Sequence, residues 1–255
     1  MSFTFDGLFN FRDLGGLALN NDQLTRHGLV FRSDALDNLS PGDRRCILDK
    51  VGIGVIVDLR TAEEAGGDGL QDQRIFPELE TYHLSVMPEG RIGREPFPDG
   101  RDPGALAEGY YKNLIEGAPT IGKIFGVIAD SLDKDVPVLF HCAAGRDRTG
   151  LIAAILLSLV GVRNDEIARD FVRSNHHAHH IAARLEQNPL YGASTEAGLG
   201  LGPALLQAQT MEIFLELLRS RNGGASSWAA STGIPTPIID ALCAGLAPDI
   251  PDVTS

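Results

Sequence analysis

The stretch VLFHCAAGRDRTGL, residues 138–151, places one cysteine between an apolar run and a short loop that carries two arginines. The run PVLFH, residues 137–141, is apolar without alternation, which predicts a strand buried on both faces of a parallel sheet. Cys142 then lies at the carboxyl edge of that sheet, where open α/β sheets bind their ligands. A helix is predicted to follow the loop Ala143–Asp147, whose backbone N–H groups can therefore surround one point above the sulfur. The stretch predicts an anion-binding loop around a cysteine.

Each polar position near this loop has a predicted chemical role. Gly145 tolerates positive φ and lets the backbone approach a ligand closely. A helix N-terminus, inward amides and a guanidinium favour the thiolate of Cys142, which is the nucleophilic form of a cysteine. Arg148 offers a planar fork that can hold two oxygens of a phosphoryl group. Thr149 can donate its hydroxyl to the sulfur, and His141 can fix the loop from behind.

The predicted phosphate-binding residues are Ala143, Ala144, Gly145, Arg146, Asp147 and Arg148. This pattern is more specific than a Gly-rich turn alone. The alternative is a buried packing cysteine beside two surface arginines, but such a cysteine needs neither both arginines nor the glycine. The loop therefore predicts phosphate chemistry at Cys142.

The rest of the chain predicts an α/β fold with a central, mainly parallel sheet, flanking helices and extra helices towards the C-terminus. Strands are predicted at residues 29–31, 54–59, 81–84 and 137–141. Predicted helices begin at the Ser40 cap and at Pro119, cover residues 149–160, follow an Asn164 cap, cover residues 203–221, and begin again at Thr236.

The length of 255 residues fits one domain, residues 1–255, with a core at about 10–246 and a flexible tail at 247–255. Segments 87–104 and 176–203 are rich in Gly, Pro or polar residues. They are interpreted either as lids over the site or as plain surface connections.

Composition excludes several classes of partner. A formal net charge of −12 provides no general electrostatic field that would attract nucleic acid or an anionic membrane.

The three cysteines are widely spaced, which indicates a reducing compartment rather than a disulfide framework; they are Cys46, Cys142 and Cys243. The longest apolar run, residues 151–162, is shorter than the roughly 20 residues that span a bilayer. With no signal-peptide pattern at the start, we expect a cytoplasmic protein without an integral membrane segment; export by a route that needs no signal peptide is the alternative.

The loop HCAAGRDRTG resembles the Cys-x5-Arg-Thr signature of the protein tyrosine phosphatases. Further motifs agree from about residue 10 to residue 246 and resemble a bacterial branch whose members often accept phosphoinositides as well. These motifs are NFRDLGG at 10–16, VFRSDAL at 30–36, VIVDLRTAEE at 55–64 and ARDFVRSN at 168–175.

The resemblance implies a hydrolase that works through a phosphocysteine intermediate, without a metal or other cofactor, and that has a mobile helical lid. Its implied substrates are phosphotyrosine proteins, with phosphoinositides or phosphoserine and phosphothreonine as further candidates, as in a dual-specificity enzyme. One departure concerns the lipid activity. That branch commonly has lysine directly after the loop glycine, whereas this chain has Arg146, whose geometry differs from that of an ammonium group.

The reaction also needs a group that protonates the departing oxygen. Asp58, at the end of the run GVIVDL, resembles the aspartate considered for this role in the family, but it can instead pair with Arg60 or Arg148 to hold the loop. Asp147, inside the loop, is a second candidate. Asp99 and Asp102, on the segment 87–104, are a third.

Other function classes stay open. A regulatory module could keep the phosphate pocket with little turnover, and a thiol redox enzyme would use a second cysteine near Cys142. The histidines of NHHAHH can bind a metal at helical spacing, although a solvated helix face is the simpler interpretation. They are His176, His177, His179 and His180.

Overall fold

A five-stranded sheet forms the centre of the computed structural model, which describes residues 3–87, 102–187, 190–191 and 205–247. Its strands are β1 (Arg12–Asp13), β2 (Val30–Ser33), β3 (Val55–Asp58), β4 (Glu80–His83) and β5 (Val138–His141). They stand in the order β1-β2-β5-β3-β4. β1 is antiparallel to β2, and all other neighbours are parallel. The predicted α/β fold with a mainly parallel sheet is confirmed.

The register of the three central strands brings their ends to one level. Ser33 of β2 and Asp58 of β3 both lie opposite His141, the last residue of β5. The chain segments that follow these strands therefore leave the sheet side by side at one edge. Cys142 is the first residue beyond that edge.

Ten helices are present in the described ranges, and α1 continues into a wider helical turn at Cys46–Val51. They are α1 (Pro41–Arg45), α2 (Gln71–Ile75), α3 (Pro103–Glu116), α4 (Ala118–Asp133), α5 (Asp147–Val160), α6 (Asn164–Arg173), α7 (Ala178–Glu186), α8 (Ala208–Asn222), α9 (Ala225–Ser231) and α10 (Thr236–Leu246). A short 3₁₀ turn, Ser174–His177, joins α6 to α7.

Local chemistry explains several helix ends. Ser40 accepts a hydrogen bond from the N–H of Asp43, whose carboxylate accepts in return from the N–H of Ser40, so the predicted cap is confirmed. Gly52 and Gly223 end their helices at φ values of 77°. The predicted Asn164 cap is wrong, because Asn164 is already helical and its side chain makes no capping bond.

Two helix predictions need further correction. The long C-terminal helix begins at Ala208 rather than within residues 203–207, of which 205–207 are described. α3 was not predicted, because Pro103, Gly104 and Gly109 are helix-breaking residue types. Asp102 caps its first turn, and packing against α8 compensates for its low intrinsic propensity.

Side chains of β5 alternate between two apolar layers. Val138 and Phe140 belong to the larger cluster, which includes residues of α3 to α10, whereas Leu139 belongs to the smaller cluster with Ile47 and Phe76. The sheet is therefore covered on both faces, as its continuous apolar strands predicted. Within the described ranges, no helix combines the length and apolar character needed to cross a bilayer.

The two segments interpreted as lids or connections fall largely outside the described residues. These exclude 88–101, 188–189, 192–204 and the predicted tail from 248 onwards. The described part of the second segment, residues 176–187, includes α7.

Candidate active site

The loop from Cys142 to Arg146 joins β5 to α5 at the edge of the sheet where the three central strands end. α5 begins at Asp147, so the prediction that a helix follows the loop is confirmed. The side chain of Cys142 is only 2% exposed and lies at the boundary between the apolar core and the loop. The loop thus joins a buried cysteine to a helix N-terminus.

Three consecutive carbonyl groups of the loop accept hydrogen bonds from outside it. Arg184 Nη2 donates to Ala143 O at 2.8 Å. Asn10 Nδ2 donates to both Ala144 O at 3.1 Å and Gly145 O at 2.9 Å. Arg32 Nη2 also donates to Gly145 O, at 2.8 Å. In a trans peptide the N–H points away from the carbonyl of the same unit. The amides that follow these carbonyls are therefore directed away from the outer donors. Among the described residues, the N–H groups of Ala144 and Gly145 have no acceptor.

Buried carboxylates hold two of these outer donors in place. Asp34, which is fully buried, accepts from Arg184 Nη1 at 2.6 Å and from the backbone N–H of Asn10 at 2.8 Å. Asp170 accepts from both Arg32 and Arg12. Burial raises the pKa of Asp170, but these two guanidinium groups lower it to about 2. The arginines of the motifs NFRDLGG and VFRSDAL thus share one buried carboxylate.

Gly145 is required for two reasons. Its φ of +65° is the left-handed conformation, so the prediction of positive φ is confirmed. A Cβ atom at this position would lie 2.4 Å from the carbonyl oxygen of Ser33. The close approach that excludes a side chain is thus to the neighbouring strand β2.

Arg148 is paired end-on with Glu64. Its Nη1 donates to Glu64 Oε2 at 2.5 Å and its Nη2 to Oε1 at 2.6 Å. Burial raises the pKa of Glu64, but the charge and hydrogen bonds of Arg148 outweigh it and lower that pKa to about 2. Arg148 Nε donates to no atom in the part of the chain that the structure describes. The edge formed by Nε and Nη2 can therefore receive two oxygens of an anion.

Asp58 belongs to a second buried network. Its carboxylate accepts from the backbone N–H, Nε and Nη2 of Arg60. Burial raises the pKa of Asp58, but His141 and Arg60 lower it below its usual value. Asp58 is thus held ionised, which is unfavourable for a group that must donate a proton at neutral pH. The geometry favours the alternative role, an ion pair with Arg60.

His141 lies behind the loop in the same network. Its Nε2 is 2.5 Å from Asp72 Oδ2. Burial lowers the pKa of His141, but Asp72 and Asp58 raise it to about 9, so the ring is cationic at neutral pH. Asp58, Asp72 and His141 have the spacing of a metal site. However, Arg60 and the imidazolium already supply positive charge there, so the donor set fits an ion-pair network better than a metal.

Asp147, at the first turn of α5, has a phenol as its partner. The hydroxyl of Tyr110 donates to Asp147 Oδ1 at 2.6 Å. Of the other acid candidates, Asp102 accepts from the N–H groups of Gly104 and Ala105 as the cap of α3. Asp99 lies outside the described residues.

Thr149 is fully buried, and its hydroxyl has no hydrogen-bond partner within the described ranges. The predicted bond to the sulfur of Cys142 is therefore not formed in this structure. The unpaired hydroxyl is instead available to a group that enters the site.

Comparison with known proteins now adds to this geometry. The profile of the tyrosine phosphatase family matches residues 3–247. The chain belongs to the tyrosine phosphatase family. It is accordingly a hydrolase of phosphate monoesters, as the signature around Cys142 predicted.

Three relatives have bacterial origins. A tyrosine-protein phosphatase of Nostoc commune is 32% identical over 222 residues, which is 83% of this chain and 71% of the relative. A putative tyrosine-protein phosphatase of Cupriavidus necator is 28% identical, covering 79% of this chain and 71% of its own. The triple specificity protein phosphatase PtpB of Mycobacterium tuberculosis is 28% identical, covering 71% and 72%.

Several residues of this phosphatase site were not predicted. Glu64 had a visible local signal, because Thr61 and Glu64 form the T-x-x-E pattern of a capping box, with Thr61 N–H donating to Glu64 Oε2. Asn10 was quoted only within a motif. Arg184 and Tyr110 have no sequence signal, because they reach the loop through tertiary packing.

The four histidines of the NHHAHH cluster are at the surface. His176, His177, His179 and His180 are exposed, and the ring of His180 stacks on Phe9 at a centroid distance of 5.2 Å. This arrangement favours the interpretation of a solvated helix face.

The two constraints on Gly145 predict a large effect for Gly145→Ala. The left-handed φ alone costs about 1–2 kcal/mol for a residue with a Cβ, and the contact with Ser33 must also displace the loop. We expect kcat/KM for an aryl phosphate to fall at least tenfold. Gly161→Ala is the matched control, since Gly161 has a φ of +89° and nothing within 4 Å of its Cβ position. Equal kinetics for the two variants would contradict the account of the loop.

The Asp170 network predicts a pH dependence of stability. Because the pKa of Asp170 in the folded protein is about 2, below the 3.8 of an unperturbed aspartate, its stabilising contribution of about 2 kcal/mol is complete above pH 4 and is lost as the pH falls towards 2. Urea unfolding of Asp170→Asn should show lower stability at pH 7 and a flatter decline below pH 4.

Asp165→Asn is the control for this measurement, because Asp165 forms exposed ion pairs, which contribute little to stability. If Asp170→Asn kept the wild-type acid profile, the buried network would not stabilise the fold as described.

Proposed function

We propose that this chain hydrolyses phosphotyrosine in proteins through a phosphocysteine intermediate formed on Cys142. The observation that carries the proposal is the loop between Cys142 and Arg148, whose carbonyl groups accept hydrogen bonds from donors outside the loop. We further propose that residues 1–255 act as one domain and that the enzyme is cytoplasmic, because all three of its cysteines are free thiols.

The first chemical step transfers the phosphoryl group to sulfur. The thiolate of Cys142 attacks phosphorus, the S–P bond forms and the bond from phosphorus to the tyrosine oxygen breaks. The phenolate oxygen takes a proton as it leaves. In the second step water attacks phosphorus, the S–P bond breaks, and the water proton passes to the group that gave up its proton in the first step.

Stabilisation of the transition state comes from fixed donors. The loop amides and the Nε edge of Arg148 offer N–H groups to the equatorial oxygens, where negative charge spreads as the bond breaks. These donors need no reorganisation because the outer network and Glu64 already hold them. The unpaired hydroxyl of Thr149 can then stabilise the departing thiolate in the second step.

Asp147 is our proposed proton donor. It stands at the loop itself, and the hydroxyl of Tyr110 holds only its Oδ1, which leaves Oδ2 for the proton. Asp58, in contrast, is engaged by Arg60 through three hydrogen-bond donors. Proton transfer from a positioned acid contributes about 10²- to 10⁴-fold to such reactions.

The charges beside the loop support a substrate with a single phosphate. A cavity of about 360 Å³ adjoins the loop, lined among others by Arg60, Glu64 and Arg184. Arg60 is paired with Asp37, and Arg184 with Asp34, so neither guanidinium is uncompensated. The additional phosphates of a polyphosphorylated head group therefore gain little binding energy from these two guanidinium groups, which favours phosphotyrosine as the substrate. Phosphoserine and phosphoinositides, which the sequence motifs imply as further candidates, are the comparison substrates.

Replacement of the nucleophile tests the proposal. We expect Cys142→Ser to abolish turnover of phosphotyrosine peptides while it keeps millimolar phosphate binding, because the loop donors remain. Cys243→Ser should behave as wild type. Wild-type activity should survive a metal chelator and be inhibited by vanadate.

The outcomes separate the function classes. Turnover by Cys142→Ser would contradict the mechanism. A wild-type protein that binds phosphate without turnover would be the regulatory module instead.

Leaving-group dependence identifies the acid. For Asp147→Asn we expect kcat with phosphotyrosine to fall by about 100-fold or more, but much less with a nitrophenyl phosphate, whose leaving group needs little protonation. Asp58→Asn should lower folding stability and affect both substrates alike. If only Asp58→Asn showed the strong leaving-group dependence, the acid would be Asp58 and our assignment would be wrong.

A further inference from the structure

We propose that Tyr191 is a positioning residue that fixes the guanidinium of Arg148 through Glu64. The inference rests on the proposed function, because the effect of Arg148 is measured as turnover. It assigns a role to a phenol that lies outside the signature loop and does not itself take part in the chemistry.

Glu64 is the link between the two side chains. The hydroxyl of Tyr191 donates to Glu64 Oε1, the same oxygen that accepts from Arg148 Nη2. The other oxygen, Oε2, accepts from Arg148 Nη1 at 2.5 Å and from the backbone N–H of Thr61 at 2.8 Å. Each carboxylate oxygen thus has two donors. Rotation of the carboxylate would break bonds on both sides, so its orientation is fixed.

Burial makes this arrangement rigid. The exposed fractions are 4% for Tyr191, 1% for the side chain of Glu64 and 7% for that of Arg148. Hydrogen bonds to a charged group in such an environment are stronger than in water, and an unpaired oxygen is costly. Burial and the charge of Glu64 raise the pKa of Tyr191, so its hydroxyl stays a donor at neutral pH.

The position of Tyr191 connects this link to the substrate side. Its side chain lines the cavity of about 360 Å³ together with Ala143 of the loop. Tyr191 therefore stands between the cavity and the group that orients Arg148.

The expected consequence is a loss in kcat rather than in binding. With Tyr191 absent as a donor, Glu64 keeps its charge but gains freedom to rotate, and the Nε edge of Arg148 becomes less precisely directed. A misdirected Nε edge weakens the binding of the transition state, in which the equatorial oxygens carry most charge, more than it weakens the binding of the substrate.

Tyr191→Phe tests this directly, because it removes the hydroxyl and keeps the ring that lines the cavity. We expect kcat for a phosphotyrosine peptide to fall about tenfold with KM changed less than twofold. The inhibition constant of vanadate, which imitates the transition state, should rise by a similar factor, whereas that of inorganic phosphate should hardly change. Tyr111→Phe is the matched control, since its hydroxyl bonds to Asn222 Oδ1 at 2.8 Å. It should match wild type.

A double-mutant cycle separates positioning from packing. In a Glu64→Ala background, the additional change Tyr191→Phe should alter kcat by less than twofold, because alanine has no oxygen that can link the two side chains. A full tenfold loss in that background would overturn the inference, since Tyr191 would then act without Glu64. Thermal unfolding of each variant confirms that folded proteins are compared.

The same experiment distinguishes failure of this inference from failure of the proposed function. If wild type and Tyr111→Phe turn over phosphotyrosine and Tyr191→Phe does so equally well, the positioning role alone is wrong. If wild type shows no turnover, the proposed function fails and the positioning role fails with it.

Discussion

The outward anchoring of three loop carbonyl groups is the interaction on which the site depends. Asn10, Arg32 and Arg184 come from distant parts of the chain, and each donates to a carbonyl between residues 143 and 145. Since the amide of a trans peptide opposes its carbonyl, this external anchoring determines what the loop presents above Cys142. In the proposed mechanism, the anion therefore binds on the side of the loop that these outer donors do not occupy.

In the proposed mechanism, an acidic chain with a net charge of −12 holds an anionic substrate through guanidinium groups that are locally organised. Carboxylates orient these guanidinium groups without occupying all their donors, and they offset the cost of burying the positive charges. Fields from distant surface carboxylates are screened over about 10 Å, so the local donors determine binding. The pairs are Arg32 with Asp170, Arg148 with Glu64 and Arg184 with Asp34.

The sheet and the loop could be predicted because each has a local signal, whereas the nucleophilic role of Cys142 stays a prediction. Apolar runs predicted the four parallel strands, and the positive φ of Gly145 followed from the curl of the loop. β1 was missed because a two-residue strand has no periodicity. The role of Asp58 stayed open between acid and ion pair, since only the fold shows Arg60 folded back onto it. Partners such as Tyr110 are brought to the site by packing between helices, which no local pattern records.

A crystal structure of the wild-type protein with bound vanadate tests the central claim most directly. The account predicts that the vanadium atom is bonded to Cys142 Sγ and that the equatorial oxygens of vanadate accept hydrogen bonds from the amides of residues 143–148 and from Arg148 Nε. It also predicts that Asn10, Arg32 and Arg184 keep their hydrogen bonds to the loop carbonyls. Vanadate bound at another place, or loop carbonyls turned towards the anion, would contradict it.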